Sequence, residues 1–177
     1  MIVQQLINGL MLGSVYALVA LGYTMVYGVM KFINFAHGDV YMWGAFIGLF
    51  LARMTGANYF LVLILTMILT GVLGVLVERL AYKPLRKAPR LVVTTSALGM
   101  SLVLSNLARL LIGSETYPMP KILAVRQIQL GSLAVINTTQ ILVLVTAVVL
   151  MLLLNWFVNH TRYGQAIRAT SEDSETA

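Results

Sequence analysis

At 177 residues, with 59% hydrophobic and 10% charged side chains and a mean hydropathy of +0.88, the chain falls far below the roughly 25% charge of a soluble domain and reads as an integral membrane protein. Its net charge of +6 comes from Lys and Arg scattered through short loops, with no basic stripe and no interleaved aromatics, which argues for membrane topology and against nucleic acid as a partner. The absence of Cys excludes a disulfide framework and a thiolate metal site.

Continuous apolar runs such as 142–154 favour helices over a barrel, whose strands alternate over segments of about 10 residues. The predicted fold class is all-α, a polytopic transmembrane helix bundle of about five spans near 3–27, 34–53, 59–77, 91–112 and 140–158. The first span has neither a basic leader nor a small-residue cleavage site and is expected to be retained. It opens with Gln4, Gln5 and Asn8 and carries Gly9, Gly13 and Ala17 at four-residue spacing. The pattern returns as Gly44, Gly48 and Ala52 in the second span. Small residues on one stripe let helices approach closely, so Gly9, Gly13, Gly44 and Gly48 are expected packing positions, against the plainer reading that Gly is common in membrane helices.

The second span starts near Asn34, inside the stretch 32–41, FINFAHGDVY. Polar groups at membrane depth are costly, and Asn34, His37, Gly38, Asp39 and Tyr41 are therefore candidates for a translocation pathway or a helix break. Two readings stand side by side. In one, Asn34 caps the helix and Asp39 sits on the positive end of its dipole. In the other, Gly38 permits an unwound turn whose free backbone and side chains line a path. On a continuous helix Asn34, His37 and Tyr41 share a face, while His37 and Asp39 stand about 200° apart.

The third span ends at Glu78 and Arg79 and leads into a loop that gathers Arg79, Lys83, Arg86, Lys87 and Arg90. The positive-inside rule places that loop in the cytoplasm, which puts the N-terminus outside and Lys31 inside. In the fourth span Thr94, Ser101, Ser105 and Arg109 fall within an arc of about 100° at the helical period, a polar wall for hydrogen bonding between helices or for a wetted path. The connection 113–139, with Pro118 and Pro120, is expected outside the cell and to hold a short hairpin. The fifth span returns at His160, Arg162 and Arg168, and 160–177 begins a cytoplasmic segment. An odd span count with a tail that stops in an amphipathic stretch predicts the front portion of a longer polytopic membrane protein.

His37, His160 and the few carboxylates lack metal-ligand spacing, no phosphate-binding loop occurs, and no nucleophile stands beside a base. No cofactor and no catalytic residue is expected.

The words NGLMLGSVYAL at 8–18, GYTMVYG at 22–28, INFAHGD at 33–39, ERLAYKPLR at 78–86, SNLARL at 105–110 and RYGQAIRA at 162–169 closely resemble the N-terminal part of Liv-type permease subunits of branched-chain amino acid ABC transporters. The resemblance implies a subunit of an importer in the bacterial inner membrane. Its partners would be a second permease subunit, ATP-binding subunits on the cytoplasmic face and a periplasmic substrate-binding protein that delivers leucine, isoleucine or valine. It also implies that the segment after the fifth span carries ATPase coupling, which maps onto Gly164, Arg168, Ala169, Glu172, Asp173 and Ala177. Permeases for urea and short amides resemble the same family. The residues alone leave one rival of another class, a proton-coupled carrier or channel in which His37 and Asp39 relay protons.

Overall fold

The computed structural model describes residues 2–55, 58–120, 126–130 and 134–172. Six α-helices and one hairpin follow in order: α1 (Ile2–Met30), α2 (His37–Thr55), α3 (Tyr59–Val77), α4 (Arg90–Leu111), β1 (Gln127–Leu130), β2 (Ala134–Asn137), α5 (Thr138–His160) and α6 (Arg162–Glu172). The chain divides into two compact units, Met1–Lys31 with Leu123–Ala177, and Phe32–Ile122.

In the first unit α1 packs on α5, burying Met11 and Ala147. Above that apolar contact lies a patch of amides. Gln4 donates to Asn8 at 3.3 Å and its carbonyl accepts from the Val135 N–H at 2.8 Å, tying α1 to the hairpin. The hairpin is antiparallel, with Gln127 opposite Asn137 and Ile128 opposite Ile136, and it falls in the connection where the sequence led us to expect one. It ends in the start of α5, where the Asn137 N–H donates to the Gln140 side chain at 2.9 Å, half of a capping box. Satisfying these end groups matters more in lipid than in water, because no solvent is available to take them over.

At the other end of α5 the chain turns at Thr161. Its hydroxyl donates to the Phe157 carbonyl at 2.6 Å and accepts from the Gly164 N–H at 3.0 Å, so one side chain closes α5 and opens α6. A Cβ at Gly164 would run into the Phe157 and Val158 carbonyl oxygens, so this close approach admits only glycine. Arg168 reaches back to Asn159, bonding its side-chain oxygen at 3.1 Å and its carbonyl at 3.3 Å.

In the second unit α2 packs along α3. The pairs Gly44 with Thr70 and Gly48 with Thr66 run in opposite directions along the two helices, which makes the pair antiparallel. The α3 start is set by Asn58, whose side chain accepts from the Phe60 N–H at 3.0 Å. α3 ends at Val77, where the third span was expected to end, but the winding does not stop there. It continues through a π turn, Glu78–Tyr82, and a 3-10 turn, Lys83–Leu85, because no proline intervenes before Pro84 and Glu78 is held by Arg86 at 2.6 Å.

Among the described residues, four helical stretches are long and apolar enough to cross a membrane: Ile2–Met30, Tyr59–Leu85, Arg90–Leu111 and Thr138–His160. α2, the expected second span, is a helix of 19 residues but falls outside that set, since His37, Asp39 and Arg53 dilute its apolar content. Large apolar side chains such as Leu6, Leu10, Ile64, Leu102, Leu110 and Leu152 stand exposed along the other helices, as a lipid solvent requires. The molecule is a multi-pass helical membrane protein.

Gly164→Ala is expected to force the α5–α6 corner open, a cost of about 1–3 kcal/mol that lowers the thermal midpoint in detergent by roughly 3–10 °C. Gly9→Ala and Gly13→Ala, where a Cβ meets no described atom within 4 Å, are expected to leave that midpoint unchanged or slightly higher.

Candidate functional site

The segment ahead of α2 sets the position of the charged group. Ala36 is fully buried and Phe32 nearly so, and between them the Asn34 carbonyl accepts from the His37 N–H at 3.2 Å, which closes a turn. The helix begins at His37, with the Val40 N–H on the Ala36 carbonyl at 2.9 Å, and so places Asp39 in its first turn, at the positive end of the dipole.

Both oxygens of Asp39 are engaged by α4. Ser105 donates to Oδ1 and Ser101 to Oδ2, each at 2.5 Å. The two serines are four residues apart and therefore share a face of α4, which lets one carboxylate bridge them. One turn further along α2 the Trp43 indole N–H donates to the Leu104 carbonyl at 3.1 Å. Asp39 and Trp43, again at four-residue spacing, thus bind α2 to α4 along one seam.

A second set of bonds braces the turn before α2. Tyr82 donates to the Asn34 side-chain oxygen at 2.5 Å, and its ring meets Phe32 edge to face at 5.1 Å. Ser96 of α4 donates to the Ala81 carbonyl at 3.0 Å, a group that belongs to the π turn. Asn34 is therefore a buttress for the turn, and its side chain goes to Tyr82 where a cap had been one expectation.

Of the two readings of this segment, the structure has Asp39 in the first turn of a continuous α2 and no unwound turn at Gly38. Gly38 lies inside the first turn of α2, and the interruption covers 31–36, ahead of His37. The physical reason is that Phe32 and Ala36 bury while the Asn34 carbonyl starts the turn, so the unwound residues precede the His-Gly-Asp word. Tyr41 is half exposed. Of the polar wall of α4, Ser101 and Ser105 meet Asp39, Thr94 bonds its own helix at the Arg90 carbonyl at 2.9 Å, and Arg109 is exposed near the C-terminal end. Gly44 and Gly48 face Thr70 and Thr66, whose side chains lie 3.1 Å and 3.3 Å from where a Cβ would stand. Gly164 and Arg168 sit at the α5–α6 corner, Ala169 is exposed on α6, and Glu172 is its last residue. Asp173 and Ala177 lie outside the described residues.

Trp43, Tyr82, Ser96, Thr66 and Thr70 were not singled out in the sequence. Only Trp43 carried a usable signal, its position one helical turn after Asp39. No group of three His, Asp or Glu able to hold a metal occurs among the described residues.

Chemically the arrangement is a partly buried carboxylate met by two hydroxyl donors and the start of a helix. A carboxylate has about four lone-pair sites, so two hydroxyls leave room for a further donor.

Residues 5–177 match the family described as branched-chain amino acid transport system / permease component. The chain is 42% identical to the high-affinity branched-chain amino acid transport system permease protein BraD of Pseudomonas aeruginosa, over 96% of this chain and 59% of that one. It is 38% identical to the corresponding LivH of Salmonella typhimurium and 37% identical to LivH of Escherichia coli, over 98% of this chain and 60% of each relative. The chain therefore spans about three-fifths of the length of these relatives. No solved structure matches it.

Within the Asp39 seam, Ser101→Ala and Ser105→Ala are each expected to cost about 0.5–2 kcal/mol in unfolding from detergent micelles. Asp39→Leu is expected to cost more than either, because it leaves both hydroxyls without their acceptor, while Asp39→Asn, which keeps an oxygen, stays closest to the parent. Equal midpoints for Asp39→Leu and Asp39→Asn in a thermal melt would remove the seam's role in stability.

Proposed function

The chain belongs to the branched-chain amino acid transport permease family, and from that premise we propose that it is a membrane-spanning subunit of an ATP-driven importer for branched-chain amino acids and forms part of its translocation pathway. The observation that carries this is the match over residues 5–177, with 37–42% identity to permease proteins of that transport system running along nearly the whole chain.

In this reading the protein is a multi-pass component of the bacterial inner membrane, with the basic stretch from Arg79 to Arg90 in the cytoplasm. A second permease subunit lies beside it, a periplasmic substrate-binding protein delivers the amino acid, and separate subunits bind and hydrolyse ATP. The polar group of Asn34, His37 and Asp39 stands at or near the path. Two features of the geometry suit that role: the non-helical stretch directly before α2, and the acceptor capacity left on Asp39.

Coupling falls to the corner between α5 and α6. A push delivered to α6 reaches α5 without slack only if the joint is stiff. The Gly164 backbone against the α5 carbonyls, the Thr161 hydroxyl shared by both helices and the Arg168 clamp on Asn159 supply that stiffness. Gly164, Arg168, Ala169, Glu172 and Asp173 are the residues assigned to it.

Uptake of labelled leucine by cells producing the complete transporter tests the reading. Depleting ATP is expected to abolish uptake, and a protonophore applied at constant ATP is expected to leave it. The opposite pattern would favour proton coupling through His37 and Asp39, and transport of urea or short amides without leucine would reassign the cargo. In the same assay His37→Ala is expected to lower uptake at least fivefold with the protein still in the membrane, and undiminished uptake would take His37 off the path.

A further inference from the structure

One outward face of α3 and the π turn after it carries a shallow, open depression lined by Ile68, Gly71, Val72, Val75, Leu76 and Arg79. Ile68, Val72, Val75 and Leu76 recur at helical spacing and each is about half exposed, while Gly71 contributes no side chain and deepens the floor. One end of this apolar depression carries a guanidinium. From Ile68 to Arg79 the helix rises about 16 Å at 1.5 Å per residue, close to half of the ~30 Å hydrocarbon thickness.

The charge at that end has no protein counter-ion among the described residues. Glu78, the adjacent carboxylate, is taken by Arg86 at 2.6 Å, and Arg79 forms no ion pair there. Lys83, Lys87 and Arg90, all exposed, follow in the turn beyond and raise the local positive potential further. A guanidinium at the rim of a membrane helix reaches for the interface, and the planar fork of its donors matches phosphate oxygens in pairs.

We propose that this depression seats an anionic phospholipid, with an acyl chain along Ile68 to Leu76 and the headgroup phosphate on Arg79. Three matches favour a lipid over another occupant. The depression runs the length of one leaflet, its lining is hydrocarbon, and its single charge stands at headgroup level with a basic cluster behind it, the arrangement by which anionic lipids are recognised. The site is separate from the Asp39 seam and depends on neither the cargo nor the energy source of transport.

Native mass spectrometry of the purified full chain, titrated with phosphatidylglycerol and separately with phosphatidylcholine, tests the assignment. Phosphatidylglycerol is expected to be retained about tenfold more tightly, and Arg79→Gln is expected to erase that preference while leaving weak retention of both lipids. Gly71→Leu puts a side chain into the depression from a position where a Cβ meets no described atom within 4 Å, and it is expected to lower retention of both lipids. Equal retention of the two lipids by the parent chain, or an unchanged preference in Arg79→Gln, would overturn the proposal. So would loss of the bound lipid once the second permease subunit is assembled, which would make the depression a protein interface.

Discussion

A carboxylate in a chain this apolar is best placed where several donors meet it, and in the second unit Asp39 ties two helices together in meeting that demand. Asp39 meets it with the first turn of α2 on one side and Ser101 and Ser105 of α4 on the other. Because the donors come from a helix far along the chain, the same bonds that satisfy the charge also fix where α4 lies relative to α2. Trp43 repeats the device one turn on with a neutral donor and a backbone acceptor. Polar chemistry therefore supplies the specificity that apolar burial, nearly worthless between helices already in lipid, does not.

The seam between α2 and α3 works by a different principle. There the gain comes from close approach, with Gly44 and Gly48 leaving space that Thr70 and Thr66 enter. The threonine hydroxyl oxygens are buried and have no hydrogen-bond partner among the described residues. Their position against the glycine backbones suits weak Cα–H···O contacts, which recur at packed helix interfaces. One side of α2 is thus held by strong, few and directional bonds, and the other by many weak ones.

Much of this was legible from residue order. Helix positions followed from apolar run length, the hairpin from the proline-bearing connection, and the shared face of Ser101 and Ser105 from the helical period. The glycine spacing marked Gly44 and Gly48 as a surface for close packing, yet nothing in the order of residues named Thr66 and Thr70 as what would fill it. The pairing of Asp39 with the serines was hidden for the same reason, since contacts across 62 and 66 positions depend on how helices dock and not on local pattern. The α-helix ends at Val77 as expected, but the π and 3-10 turns that follow it were not visible in the sequence. Glu78 and Arg79 read as the polar edge of a span, but an ion pair to Arg86 and a π turn carry the helix onward. Of the two readings of the segment before α2, the unwound turn at Gly38 gave way to a helix start because the buried Phe32 and Ala36 set the non-helical residues upstream of it.

The π turn at Glu78–Tyr82 acts as a gear offset. A wider turn slips the helical phase by roughly one residue, about 100°, so side chains beyond it face a different quarter from the one the preceding stripe would dictate. Tyr82 is swung inward onto Phe32 and Asn34 by that slip, while the apolar stripe of α3 that precedes the turn keeps its outward bearing. Excising a single residue there would restore uninterrupted winding and rotate the tyrosine away from its acceptor, leaving every other residue of the helix chemically unaltered.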